Sequence, residues 1–198
     1  MKRSSTTTLA LNTTTPAQKT RKYKEISITK SSEVINVSAE KLWAIARDFG
    51  NVGVWTSTLN SSEGVGAPEF EGATYSERVC HTNIKGFSEV HEKLTMFNDA
   101  NKELSYKVSH GLPGFVLLAQ NHWTILEVGP NQSMVSMNSY MRLTKFMGFL
   151  LGGKMRKTAL KALDTVLAEL KIYAETGEVA ETKKAQLKKQ SRIKKKRA

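Results

Sequence analysis

The chain has little cysteine, little proline and no long apolar run, and each shortage excludes something. One cysteine, Cys80, in 198 residues rules out an intramolecular disulfide and carries no zinc-ligand spacing. The longest apolar stretch, Phe146 to Leu151, falls far short of the roughly 18 residues that suggest a membrane span. His81 and His91 sit on opposite parities of their expected strands and have no partner at helical spacing, so no metal site is expected. No Ser-His-Asp, Cys-His or paired-Asp arrangement can be assembled. Cys80 is expected to be an inert strand residue rather than a nucleophile. Gly64-Val65-Gly66, with Pro68 and Gly72, lacks the Lys-Ser/Thr and the strand-to-helix setting of a phosphate cradle. It reads instead as a turn over a cavity mouth, and no cofactor is expected.

Acidic residues are scarce at both ends. Residues 1–25 carry six Lys/Arg against Glu25, and residues 177–198 carry nine against Glu178 and Glu181. Since the whole chain has a net charge of +12, the middle is neutral. The basicity therefore belongs to the ends and does not indicate a nucleic-acid groove in the fold. Both ends read as disordered tails, 1–25 Ser/Thr-rich and 178–198 Lys-rich, around a domain at 26–177. Weak electrostatic contact of the tails with an anionic membrane or with nucleic acid is the expected use of that charge. Cytoplasm is the default compartment for a chain with no cysteine pair. The acid-poor N-terminal tail raises organelle import as the alternative.

What the sequence does contain is one long amphipathic stretch. In Phe149 to Glu175, apolar residues fall at Leu151, Met155, Ala159, Leu163, Val166, Leu170 and Tyr173. Steps of three and four place them on one helical face. Lys154, Lys157, Lys161, Asp164 and Lys171 lie mostly on the other face, and Gly177 is the expected C-cap. At about 1.5 Å per residue, such a helix runs roughly 40 Å and needs a matching apolar surface.

The preceding residues supply strands. Glu25 to Val37 reads as the first. Ser38 then caps a short helix that ends at Gly50, and Val52 to Trp55 forms a helical turn. Ser57 to Glu63 is a short strand. Ala73 to His81, Phe87 to Phe97, Glu103 to Ser109, Phe115 to Val128 and Met134 to about Lys145 follow. Turn residues at Asn83 to Gly86, Asn98 to Asn101, Gly111 to Gly114 and Gly129 to Asn131 separate these last five into an antiparallel meander.

This order resembles the polyketide cyclase/dehydrase and lipid-transport proteins of the START superfamily. The likeness is carried by Val37-Ser38-Ala39-Glu40-Lys41-Leu42-Trp43, Asp48-Phe49-Gly50-Asn51 and Trp55. Glu92-Lys93-Leu94, Glu103-Leu104-Ser105-Tyr106 and Trp123 add to it. The resemblance covers about residues 26–176. It implies an α+β helix-grip fold: a curved antiparallel sheet wrapped around a long C-terminal helix, with two short helices after the first strand. It also implies a cavity between sheet and helix.

Strand alternation names the expected lining. Guided by the resemblance, Val90, Glu92 and Leu94, Tyr106, Phe115, Asn121 and Trp123, and Met137 and Ser139 point inward. Trp55 joins them from the short helices, and Met155 and Ala159 from the long one. In the third strand of the chain, Tyr75, Glu77, Val79 and His81 are taken as the inward face. Glu92 is the informative residue, because a carboxylate among Val90, Leu94 and Met96 is costly to bury unless it is paired or solvated. The expected function is binding or carrying a small hydrophobic ligand such as a lipid, sterol or polyketide-like compound. The alternative is a cyclase or dehydratase in which Glu92, with Glu77 or His81, performs acid–base chemistry. If Glu77 lay opposite Glu92, the two carboxylates would share a site and one would hold its proton.

Overall fold

The computed structural model describes residues 22–82 and 88–197. The turn expected at Asn83 to Gly86 and the first 21 residues of the N-terminal tail lie outside the described residues. Among the described residues, seven strands form one antiparallel sheet: β1 (Tyr23–Ser31), β2 (Ser61–Val65), β3 (Glu77–His81), β4 (Glu89–Asn98), β5 (Glu103–His110), β6 (Val116–Gly129) and β7 (Gln132–Thr144). Their order across the sheet is β1-β7-β6-β5-β4-β3-β2. Short turns join β4 to β5, β5 to β6 and β6 to β7, and β1 closes onto β7 with Ile28 opposite Ser139. Register shifts at Leu94/Met96 in β4 and at both ends of β6 put an extra residue on one strand, which bends and curves the sheet.

Between β1 and β2 lie α1 (Ala39–Ala46), a 3₁₀ turn (Phe49–Asn51) and α2 (Val52–Trp55). Ser38 caps α1, its hydroxyl accepting from the Lys41 N–H at 3.2 Å. Leu42, Trp43 and Ala46 form the buried stripe of α1. Gly53 lets α2 approach β2 closely: a Cβ there would collide with the backbone of Ser61 and Ser62.

The long helix α3 (Lys145–Thr176) lies against the concave side. Gly177 caps it in the left-handed conformation, φ 75°, donating its N–H to Tyr173 O at 2.9 Å. Leu163, Leu167, Leu170 and Ala174 are buried against the sheet and the short helices. The helix starts four residues earlier than the apolar pattern predicts, directly at the end of β7.

Two expectations are corrected. The first strand stops at Ser31, and Ile35 rejoins the sheet only by a bridge to Ser133. The C-terminal stretch expected as a disordered tail contains a helix, α4 (Glu181–Arg197). Polar contacts hold it: Lys183 Nζ donates to Leu59 O at 2.8 Å, Gln186 Nε2 to Ser57 O at 2.9 Å, and Gln190 Nε2 to Asn60 Oδ1 at 2.9 Å. These residues recur at helical spacing, but a search for apolar periodicity passes over them. No helix among the described residues is long and apolar enough to cross a membrane.

Candidate ligand cavity

A cavity of about 220 Å³ lies between the sheet and α3. The sheet contributes Arg78, Glu92, Tyr106, Asn121, Trp123, Met137 and Ser139. Helix α3 contributes Ala159, Ala162, Leu163 and Val166. Val52 and the loop residues Thr58 and Leu59 close one side. Small residues at 159 and 162 keep the helix from filling the space that Leu163 and Val166 border.

The register places the polar groups in rows. Tyr106 on β5 lies opposite Asn121 on β6, which lies opposite Ser139 on β7. Trp123 pairs with Met137 one step along the same face. The side chains of Asn121 and Ser139 have no hydrogen-bond partner among the described residues. Trp123 is 3% exposed, and its indole N–H is buried without an acceptor. An unmet buried donor is costly.

At the other end of the cavity sits an ion pair that the sequence reading did not anticipate. Arg78 on β3 lies opposite Glu92 on β4. Its Nε donates to Glu92 Oε2 at 2.6 Å, and its Nη1 to Phe49 O at 3.0 Å. The guanidinium stacks over the Phe49 ring at 4.2 Å and the Tyr106 ring at 4.7 Å. Cys80 Sγ lies 3.5 Å from the same carboxylate oxygen. Burial opposes the charge on Arg78, but Glu92, Tyr106 and Cys80 together hold the guanidinium above its ordinary value. Burial, with Glu92 adding to it, pushes the Cys80 thiol up to about 12. The same two influences raise the Tyr106 phenol. Cys80 is therefore a buried thiol and not a poised nucleophile.

The inward face of β3 is thus the opposite of the expected one. Arg78 and Cys80 are buried, whereas Glu77 and His81 lie on the outer face. Glu77 accepts from Lys93 at 3.3 Å, and His81 lies 3.6 Å from Glu89. The two carboxylates do not share a site, because an arginine lies opposite Glu92. The missed signal was Cys80: a free cysteine is among the most buried residue types, and it shares parity with Arg78.

Of the other candidates, Glu92, Tyr106, Asn121, Trp123, Met137, Ser139 and Ala159 come together at the cavity. Val90 and Leu94 are buried in the sheet, and Phe115 and Met155 pack against the core outside the cavity wall. Trp55 is buried, with one edge on an outer cleft beside Ile45, Val54 and Tyr173. The bulge between Leu94 and Met96 turns Phe97 to the core, where its ring lies 5.4 Å from Trp43.

A second buried carboxylate, also unanticipated, braces the cavity loop. Glu169 on α3 is 3% exposed. It accepts from the Ser57 N–H at 2.6 Å, Ser57 Oγ at 2.6 Å and Thr56 Oγ1 at 3.0 Å, and from Thr182 next to Lys183. Burial pushes the Lys183 ammonium below the ordinary lysine value, against the pull of Glu169. No cluster of His, Cys, Asp and Glu suited to a metal occurs among the described residues.

Residues 26–175 match the family described as polyketide cyclase / dehydrase and lipid transport. No curated protein matches the sequence. Among solved structures, the chain is similar to the ZhuI aromatase/cyclase from Streptomyces sp. R1128, with 12% identity and TM-score 0.58 over 79% of this chain and 100% of that one. It is also similar to a START superfamily protein from Mycobacterium smegmatis, with 15% identity and TM-score 0.53 over 73% and 98%. A norcoclaurine synthase from Thalictrum flavum matches with 10% identity and TM-score 0.58 over 78% and 98%. At these identities the likeness concerns the fold.

Proposed function

Because the chain belongs to the polyketide cyclase/dehydrase and lipid transport family, we propose that it binds or carries a small, largely apolar molecule bearing at least one oxygen acceptor. The observation that carries this reading is the buried, unmet indole N–H of Trp123, a residue of the cavity wall to which Met137, Leu163, Val166 and Ala159 give the apolar part. Asn121 and Ser139 offer further partners to a polar group at the same end. The volume of about 220 Å³ lies below the roughly 300–1,000 Å³ of pockets for drug-sized ligands. A one- or two-ring compound suits it better than a sterol.

The competing reading, a cyclase- or dehydratase-type reaction with Glu92 as acid or base, has that carboxylate at the cavity in its favour. Against it, Arg78 occupies Glu92 at 2.6 Å, and neither Glu77 nor His81 is a second group. Binding without turnover accounts for the arrangement more simply.

Titration with 2-naphthol, followed by its fluorescence, tests the proposal. Saturable uptake is expected. Trp123→Ala should weaken it by about tenfold or more, worth about 1.4 kcal/mol, while Trp43→Ala should leave it nearly unchanged. Equal affinity in wild type and folded Trp123→Ala protein would reject the assignment. Glu92→Gln should change affinity only modestly; a reaction abolished by that substitution would favour the enzyme.

A further inference from the structure

The first three turns of α3 present an apolar face that no described residue covers. Phe146 is 74% exposed, Phe149 90% and Leu150 62%. Their spacing of three and four places them on one side of the helix. The opposite side carries Gly148, where a Cβ would run into the Lys24 side chain of β1. The contact with β1 therefore fixes the rotation of the helix and turns the three large residues outward. Leu117, 53% exposed, lies at the same end of the molecule, since its neighbour Val116 pairs with Leu143 just before the helix.

Charge surrounds this patch. Residues 145–161 include Lys145, Lys154, Arg156, Lys157 and Lys161 and no acid. No ion pair among the described residues neutralises Lys145, Lys154 or Lys157. Beside Phe149 opens a groove of about 620 Å³ between β1 and α3, lined in part by Tyr23, Lys24, Lys145 and Arg156. Glu25 also lines it, but its carboxylate accepts from Tyr140 and Arg142.

We infer that this end of α3 docks on an anionic lipid bilayer. Phe146, Phe149 and Leu150 enter the interface, and the groove takes an anionic headgroup among Lys24, Lys145 and Arg156. Aromatic and leucine side chains on one face, ringed by cations, are what such a surface binds. A large exposed apolar patch calls for a partner. A second copy of the chain fits poorly, because a two-fold contact would bring the same cations face to face. The docking does not depend on what the cavity holds.

The full chain is tested on phosphatidylcholine vesicles with and without phosphatidylglycerol. It should sediment with the anionic vesicles only. The triple variant Phe146→Ala, Phe149→Ala, Leu150→Ala should lower that affinity by about tenfold or more without changing the thermal midpoint. Lys145→Glu with Lys157→Glu should weaken binding most at low salt. The introduced indole of Phe149→Trp, read as the difference from wild type, should shift to the blue and be quenched by brominated lipid. Absence of vesicle binding, equal binding by the triple variant, or an introduced indole that stays in water on bound protein would overturn the proposal. So would DNA binding in place of vesicle binding. An indole already buried without vesicles, in a protein that dimerises, would assign the face to a second copy.

Discussion

The two ends of α3 are built from similar residues and are used in opposite ways. From Leu163 on, the helix buries Leu163, Leu167, Leu170 and Ala174. Over its first three turns, Phe146, Phe149 and Leu150 face solvent, and the residues turned inward are Gly148 and Gly152. Hydropathy does not distinguish these ends; the side that touches the sheet does. Where leucines meet the sheet the helix is fastened, and where Gly148 meets Lys24 of β1 the large side chains are turned outward. The cavity lies between the two, where Ala159 and Ala162 neither fasten nor protrude.

Substitutions at each end sharpen this contrast. Leu170→Ala removes a side chain with no exposure and should cost about 2–5 kcal/mol in urea unfolding. Gly148→Leu forces a side chain against Lys24 and should cost about 1–3 kcal/mol. A pH-dependent effect comes from the cavity wall. The Cys80 thiol is raised to about 12 from 9.0, so the unfolded chain loses that proton first as pH rises. Its stabilisation is complete below about pH 9 and is lost as pH rises through about 12. Cys80→Ala should therefore show a shallower fall in stability across that window than wild type. Phe149→Ala should change stability by no more than about 0.5 kcal/mol. A loss there as large as that of Leu170→Ala would mean that the exposed end is part of the core and would end the comparison.

The fold was legible because its signals are periodic. The 3.6-residue pattern of α3 and the turns between β4, β5, β6 and β7 stand in the sequence. On β5, β6 and β7 alternation sorted the residues into two faces and the resemblance chose the inward one, which holds Tyr106, Asn121, Trp123, Met137 and Ser139 at one cavity. What failed was polar. On β3, Glu77 and Arg78 are both charged, and alternation does not say which one a buried partner neutralises. Only the pairing of Arg78 with Glu92 decides it. Helix α4 escaped for the same reason. It is held by Lys183, Gln186 and Gln190 against carbonyl and amide oxygens of the 57–60 loop, and hydropathy does not register such contacts. Trp55, placed at the cavity by the resemblance, instead packs between the short helices and Tyr173.

The central claim is that the Trp123 N–H receives an oxygen of the ligand. The chain has three tryptophans, and the indole of Trp43 is already bonded to Asp99 at 2.6 Å. The direct measurement is a nitrogen–proton correlation spectrum of the three indoles, with Trp123 assigned by Trp123→Phe. The spectrum is recorded during titration with 1-tetralone, a two-ring ketone, and with tetralin, which lacks the oxygen. The account predicts that tetralone moves the Trp123 indole proton downfield, that tetralin does not, and that Trp43 stays in place with both. A Trp123 resonance that stays fixed at saturating tetralone, or that moves equally with tetralin, would contradict it.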